Sequence, residues 1–276
     1  MLDVLAALIK ALLYAAALSC AGVVFAEASL GAPPGLEKYA TRFVRRSAVL
    51  TIGACAVANL VLVLRLGGQW NEVTLSAVFM SATGAATCLL LTGTALLLAS
   101  LEDPSARAMR VSSAAPITLS FAFNSHAGAE GLPEGLLAFV HTSAVAWWLG
   151  SLWLLRQAGA WLWAEPFARL VQRFSAIAAG LVGGLVLAGF LLIYALDSFL
   201  YLPAFSAYER VLAVKLGLFA VLVGLASYNR LRLTPRVRAG EPAARLALRR
   251  TVDAELALVG AILLTTAFLT TFLSPE

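Results

Sequence analysis

The sequence predicts an all-α bundle of about eight membrane-crossing helices with both termini on the outer side, and three observations carry that prediction. Hydrophobic residues fill 61% of the 276 positions and charged residues 13%, against roughly 45–50% and about 25% in soluble domains; the mean hydropathy is +0.88. The apolar positions form long runs without period-2 alternation, so helices rather than barrel strands satisfy the backbone in lipid. Lysine and arginine fall almost wholly in alternate connections. At about 20 residues per crossing, the chain reads as a single integral membrane domain over residues 1–276, with little length left for a soluble one.

The first run, about 4 to 26, follows Met1-Leu2-Asp3-Val4. That start lacks the basic residues of a signal peptide and no cleavage pattern follows, so the run reads as a retained span. The next runs lie at about 47 to 66, 73 to 99 and 110 to 124, the last being short and carrying Pro116. The remaining four are at about 135 to 156, 172 to 196, 208 to 229 and 251 to 273. In the sixth, Gly180, Gly184 and Ala188 recur at spacing four, a pattern that lets helix backbones approach. Cys20, Cys55 and Cys88 all sit inside apolar runs and read as small hydrophobes, not as a disulfide framework.

Sixteen of the 20 basic residues fall in the connections before spans 2, 4, 6 and 8, and seven of these lie between Arg230 and Arg250. Only Arg65 and Arg210 occupy the opposite side, while Lys10 and Lys215 lie within spans. The net charge of +5 is therefore an orientation signal, with the arginine-rich side cytoplasmic, and needs no nucleic-acid partner. The outer side carries Asp3, Glu72, Glu130, Glu134, Asp197, Glu209 and Glu276, an acidic rim that attracts cations.

Only two histidines occur. His126 falls where span 4 reaches the outer surface, and His141 lies seven residues after Glu134, about 10 Å below that surface at 1.5 Å per residue. A short return loop brings His126 over His141, and paired imidazoles suit copper. Met80, about seven residues into span 3, reaches a similar depth and offers a thioether as a third ligand. Lys215 is an expensive residue inside a span. Glu209 and Asp197 are placed to neutralise it, which assigns the three a charge-balancing or gating role. The same lysine also suits a haem propionate or an anionic substrate.

These residues carry a family resemblance. The segment from Phe139 to Gly150, with His141 followed by Trp147-Trp148-Leu149-Gly150, resembles the helix-borne histidine and Trp-x-Gly-Gly turn of the CopD/PcoD copper-resistance membrane proteins. Arg173-Phe174-Ser175, the pattern Tyr208-x-Arg210-x-Leu212-x-x-Lys215, an acid at Glu255 and Ser125-His126-Ala127 are similar to further elements of that family, together covering about residues 120 to 276. Ser151 and Glu209 depart from it where glycines are expected, and residues 1–119 match only in the number of spans. The resemblance implies copper transport across a bacterial inner membrane, in the direction of import, with a periplasmic copper-binding partner of the CopC type.

An alternative of another class is a haem- or quinone-linked redox protein, with His141 as axial ligand and Lys215 as propionate partner. The histidine- and lysine-bearing helices are loosely similar to the HemJ family. No phosphate-cradling loop, nucleophile elbow or zinc-protease motif occurs, so no enzymatic activity is expected.

The charge split yields a direct test. A topology reporter fused after Glu276 is expected to signal the outer compartment, and one inserted between Arg232 and Arg245 the cytoplasm. Reporters placing these two points on the same side would refute the eight-span arrangement.

Overall fold

The apolar runs fold as the helices that their composition demands. The computed structural model describes residues 2–31, 35–68, 70–103, 105–123, 132–195 and 207–273. Its helices are α1 (Leu2–Leu30), α2 (Glu37–Arg65), α3 (Glu72–Phe79), α4 (Ala82–Ser100), α5 (Arg107–Phe123), α6 (Leu132–Trp161) and α7 (Ala164–Ala195). Beyond these, α8 (Ala207–Tyr228) passes through a π-turn (Asn229–Leu233) into the short α9 (Thr234–Arg238), and α10 (Pro242–Phe272) follows. The described residues contain no strand.

Among the described residues, six helical stretches are long and apolar enough to cross a membrane: α1, α2, α4, α6, α8 with its continuation to Arg238, and α10. The chain is a multi-pass membrane protein by that measure. The shortest sequence-predicted span becomes α5, whose 17 residues run unbroken through Pro116. It is an interior element, packed on α1, α4 and α6.

One predicted span is corrected. The run 73 to 99 is not a continuous helix: α3 ends at Met80, and Ser81 starts α4 by accepting a hydrogen bond from the Gly84 amide at 3.3 Å. The two segments meet so closely that a Cβ on Gly84 would lie 2.1 Å from the Phe79 carbonyl oxygen. Hydropathy averaged over the run hides this break, because one uncharged serine barely lowers the mean of a long apolar stretch.

Ion pairs fix how the helices alternate. Asp3 meets Arg65 at 3.0 Å, joining the start of α1 to the end of α2. Arg45 meets Glu102 at 2.7 Å, joining the start of α2 to the turn after α4. Arginines also bind the carbonyls that terminate other helices. Arg107 donates to Ala28 O at 2.8 Å and Arg173 to Leu30 O at 3.0 Å, both at the end of α1. Arg245 donates to Gly159 O and Leu162 O at the end of α6. Opposite them, Lys10 near the start of α1 donates to Thr270 O near the end of α10 at 3.3 Å.

The core centres on α1 and α6, which cross where both carry glycine. A Cβ on Gly22 would lie 1.9 Å from the Ala146 carbonyl oxygen, and one on Gly150 would lie 2.0 Å from the Gly22 carbonyl carbon. Trp147 reaches across this contact and its Nε1–H donates to Ser29 Oγ at 2.7 Å. By contrast, a Cβ on Gly180, Gly183 or Gly184 meets nothing within 4 Å. The small residues expected to seat a neighbouring helix on the sixth span thus do not do so at these positions, because repeat spacing supplies room for an approach but no partner.

The crossing predicts a contrast. Gly150→Val is expected to cost at least about 1–3 kcal/mol through overpacking, seen as loss of the monodisperse, thermally stable species in detergent. Gly180→Ala, in open space, is expected to be neutral or slightly stabilising. Equal stability of the two variants would contradict the crossing.

Candidate functional site

Helix α6 positions two of the residues that carry chemistry, His141 in its first half and Trp148 two turns further on. The local sequence favours this. Thr142 and Ser143 flank the histidine, Thr142 bonding back to Ala138 O at 2.7 Å and Ser143 donating to Thr118 Oγ1 of α5 at 3.0 Å. Neighbouring hydroxyls are therefore spent on the helix and on α5, not on the imidazole. His141 Nδ1 is buried and has no hydrogen-bond partner. A buried ring nitrogen without a partner is uncommon and, as a free lone pair or N–H, is what a metal or an incoming ligand would use.

Lys215 on α8 lies within electrostatic reach of the His141 ring. His141 and Lys215, which sequence reasoning placed in separate roles, are thus electrostatically linked. Glu209 sits in the first turn of α8. Six residues along a helix turn side chains about 120° apart, so Glu209 and Lys215 occupy different faces. His126 and Asp197, the other two expected members of this region, lie outside the described residues.

Met80 is not placed with His141. It sits at the break between α3 and α4 and is 88% exposed, and these helices pack on α2 and α5, whereas α6 packs on α1, α5, α7 and α10. The depth argument that put its sulfur level with His141 assumed an unbroken span. Among the described residues, no group of three or more His, Cys, Asp and Glu side chains could hold a metal ion.

A second polar cluster lies nearer the arginine-rich end. Glu255 on α10 is 2% exposed, and Asn229, the first residue of the π-turn, donates from Nδ2 to Glu255 Oε1 at 2.6 Å. The indole N–H of Trp148 lies beside the same carboxylate without closing a hydrogen bond of normal geometry. Trp148 meets the ring of Phe174 edge-on at 5.9 Å, and Phe174 stacks on Trp147 at 5.7 Å. The sequence marked Glu255 and Phe174 only as elements of a family pattern. What it lacked was Asn229, an amide in an arginine-rich stretch whose inward placement depends on the π-turn.

A further cavity of about 200 Å³ opens beside Lys10, with Tyr14, Cys55, Asn59 and Thr87 in its wall. Asn59 there donates to Thr87 Oγ1 at 3.3 Å and to Cys55 O at 2.9 Å.

Comparison with known proteins bears on this half of the chain. A family profile described as "Copper resistance protein D", CopD, matches residues 168–269, which include Lys215, Asn229 and Glu255. The chain is 29% identical over 266 residues to the "Copper transport protein CutJ" of Bacillus subtilis (strain 168). That alignment covers 85% of this chain and 47% of the relative, so the chain spans about half the length of the curated protein it matches. No solved structure matches.

Proposed function

We propose, for a chain whose residues 168–269 match the copper resistance protein D family model, that it carries copper ions across a bacterial inner membrane, in the direction of import from the periplasm. Eight crossings with both termini periplasmic follow from the charge split, α5 and α7 completing the six helices that meet the length and hydropathy criteria. The observation that carries the reading is His141: a buried imidazole nitrogen without a partner, on the helix that anchors the bundle, in a chain similar to a named copper transport protein.

In this reading the acidic outer rim concentrates the cation, and His126 and His141 hold it in the outer leaflet. Imidazole nitrogen is a good donor for copper in either oxidation state. Lys215 acts on charge and gating, since its ammonium opposes a cation held at His141. A periplasmic copper-binding protein of the CopC type is the proposed donor, and no enzymatic step is involved. Met80, at its helix break, is proposed as an entry contact at most, not as a third ligand of His141.

Copper uptake by cells or proteoliposomes tests the site. His141→Ala is expected to lower uptake at least about tenfold, since even changes that only disturb metal ligands cost 10–100-fold, while the protein still inserts and elutes as wild type. His126→Ala is expected to cost less, because water or a neighbour replaces a loop ligand. Unchanged uptake in His141→Ala would rule out the site. The purified protein is expected to show no Soret band; near-stoichiometric haem, lost on Lys215→Gln, would replace the copper reading with the redox one.

A further inference from the structure

A cavity of about 240 Å³ lies between α6, α7, the π-turn and α10. Its wall is mostly apolar, with Leu155, Val171, Phe174 and Val223 among its residues, yet Trp148, Asn229 and Glu255 converge on it. All three are buried. Glu255 Oε2, Asn229 Oδ1 and Trp148 Nε1 have no hydrogen-bond partner. Two free acceptors and one free donor suit a water molecule, which donates twice, accepts up to twice and makes about three hydrogen bonds when buried. A purely apolar occupant would leave all three unpaired. An anion would face the carboxylate, and a metal cation would share the wall with Arg230 and meet an indole N–H.

Most of the charged groups on the surrounding elements are engaged elsewhere, while Arg249 Nε of α10 is buried without a hydrogen-bond partner. On α6, Arg156 pairs with Asp253 of α10 at 2.6 Å. Arg173 of α7 binds Leu30 O, and Arg230 of the π-turn binds the Ser175 carbonyl. On α10, Arg245 binds Gly159 O and Arg249 packs its side chain over Gly159. His141 lies seven residues before Trp148 on α6, and Lys215 fourteen before Asn229 on α8, about 10 and 20 Å away along their helices. Among the described residues, no ion pair involves Glu255. The carboxyl group thus stands among neutral donors, beside space for water, five residues along α10 from Arg250. The wide turn at Asn229–Leu233 is the local irregularity that admits the amide, and such turns recur at functional sites.

We propose that this cavity is a hydrated proton-binding site, in which the Glu255 carboxyl takes a proton from water and returns it to water toward the arginine-rich end of the bundle, once in each transport cycle. The site coordinates no copper. Its link to transport rests on the copper reading above; proton binding itself does not. The bond formed and broken is the O–H bond of the carboxyl, with water as the other partner in both directions.

Infrared difference spectroscopy of the purified protein between acidic and alkaline buffer reads the site without copper. The wild type is expected to show a protonated-carboxyl band that shifts in deuterated water and is missing in Glu255→Gln, which keeps the oxygen that accepts from Asn229. Trp148→Phe, which keeps the ring and removes the N–H, is expected to move the midpoint of that band by about one pH unit, by removing the donor that holds the water beside the carboxyl. Identical spectra for wild type and Glu255→Gln overturn the proposal. In copper-loaded proteoliposome assays, an imposed pH gradient is expected to change wild-type uptake several-fold and leave Glu255→Gln unaffected; an equal response in both overturns the coupling. A wild type that moves no copper removes the transport reading, and the infrared result then still decides whether the cavity binds a proton.

Discussion

Helix ends are the expensive part of a membrane bundle, because the last carbonyls of each helix have no partner within it and lipid offers none. In this protein arginines from other helices supply those partners. Arg107 and Arg173 bind the end of α1, and Arg245 binds the end of α6. A cation at a helix C-terminus also meets the negative end of the helix dipole. The arginine excess on one side therefore has two physical roles, orientation in the membrane and closure of the two helices that form the core. Both require arginine at the same end of the bundle, so neither could be reversed without losing the other.

With those ends fixed, the contact between α1 and α6 determines the rest. Gly22 and Gly150 bring the two backbones into direct contact, and in a membrane such van der Waals contact stands in for the missing hydrophobic drive. The crossing sets the rotation of α6 about its axis. That rotation presents Trp147 to Ser29 and Trp148 to Glu255. The Trp-Trp-Leu-Gly segment is thus a structural element as much as a family signature: its glycine makes the approach and its two tryptophans lock opposite sides of it.

Helix class and six stretches long and apolar enough to cross a membrane were legible in the sequence because hydropathy acts locally, on windows the length of a crossing. The break at Met80 was not, since it turns on one serine cap and one glycine approach. The glycines that pack tightly, Gly22 and Gly150, lie 128 residues apart in the chain, so no repeat pattern announces them, whereas the conspicuous spacing at Gly180 and Gly184 meets open space. His141 could be singled out because histidine is rare in this chain and charge-bearing residues are costly at that depth. Its proximity to Lys215 could not, because it depends on how α8 is rotated against α6. The Asn229–Glu255 bond was hidden for a similar reason: it needs a π-turn, which shifts the register of one helix by a residue and has no strong compositional mark.

The two buried polar groups differ in the charge that faces them, and that difference bears on how a cation could pass. At His141 the nearby side chain of Lys215 acts as a positive charge, so on the proposed reading a copper ion held there would gain ligand energy from the imidazole and lose part of it to repulsion. A transport site has to bind well enough to load and weakly enough to release, and an opposing charge beside a soft ligand lowers affinity without removing the ligand. At Glu255 the signs are reversed: an acid accepts from a neutral amide, with Arg156, Arg173, Arg230 and Arg245 nearby bound to Asp253 or to carbonyls. A cation leaving His141 would move down the bundle from a positive neighbour toward a negative one, a gradient favouring travel toward the arginine-rich end. A proton on Glu255 would remove that attraction and let the ion continue. On the proposed reading, the charges at Lys215 and Glu255 and the hydration of the carboxyl are parts of one arrangement.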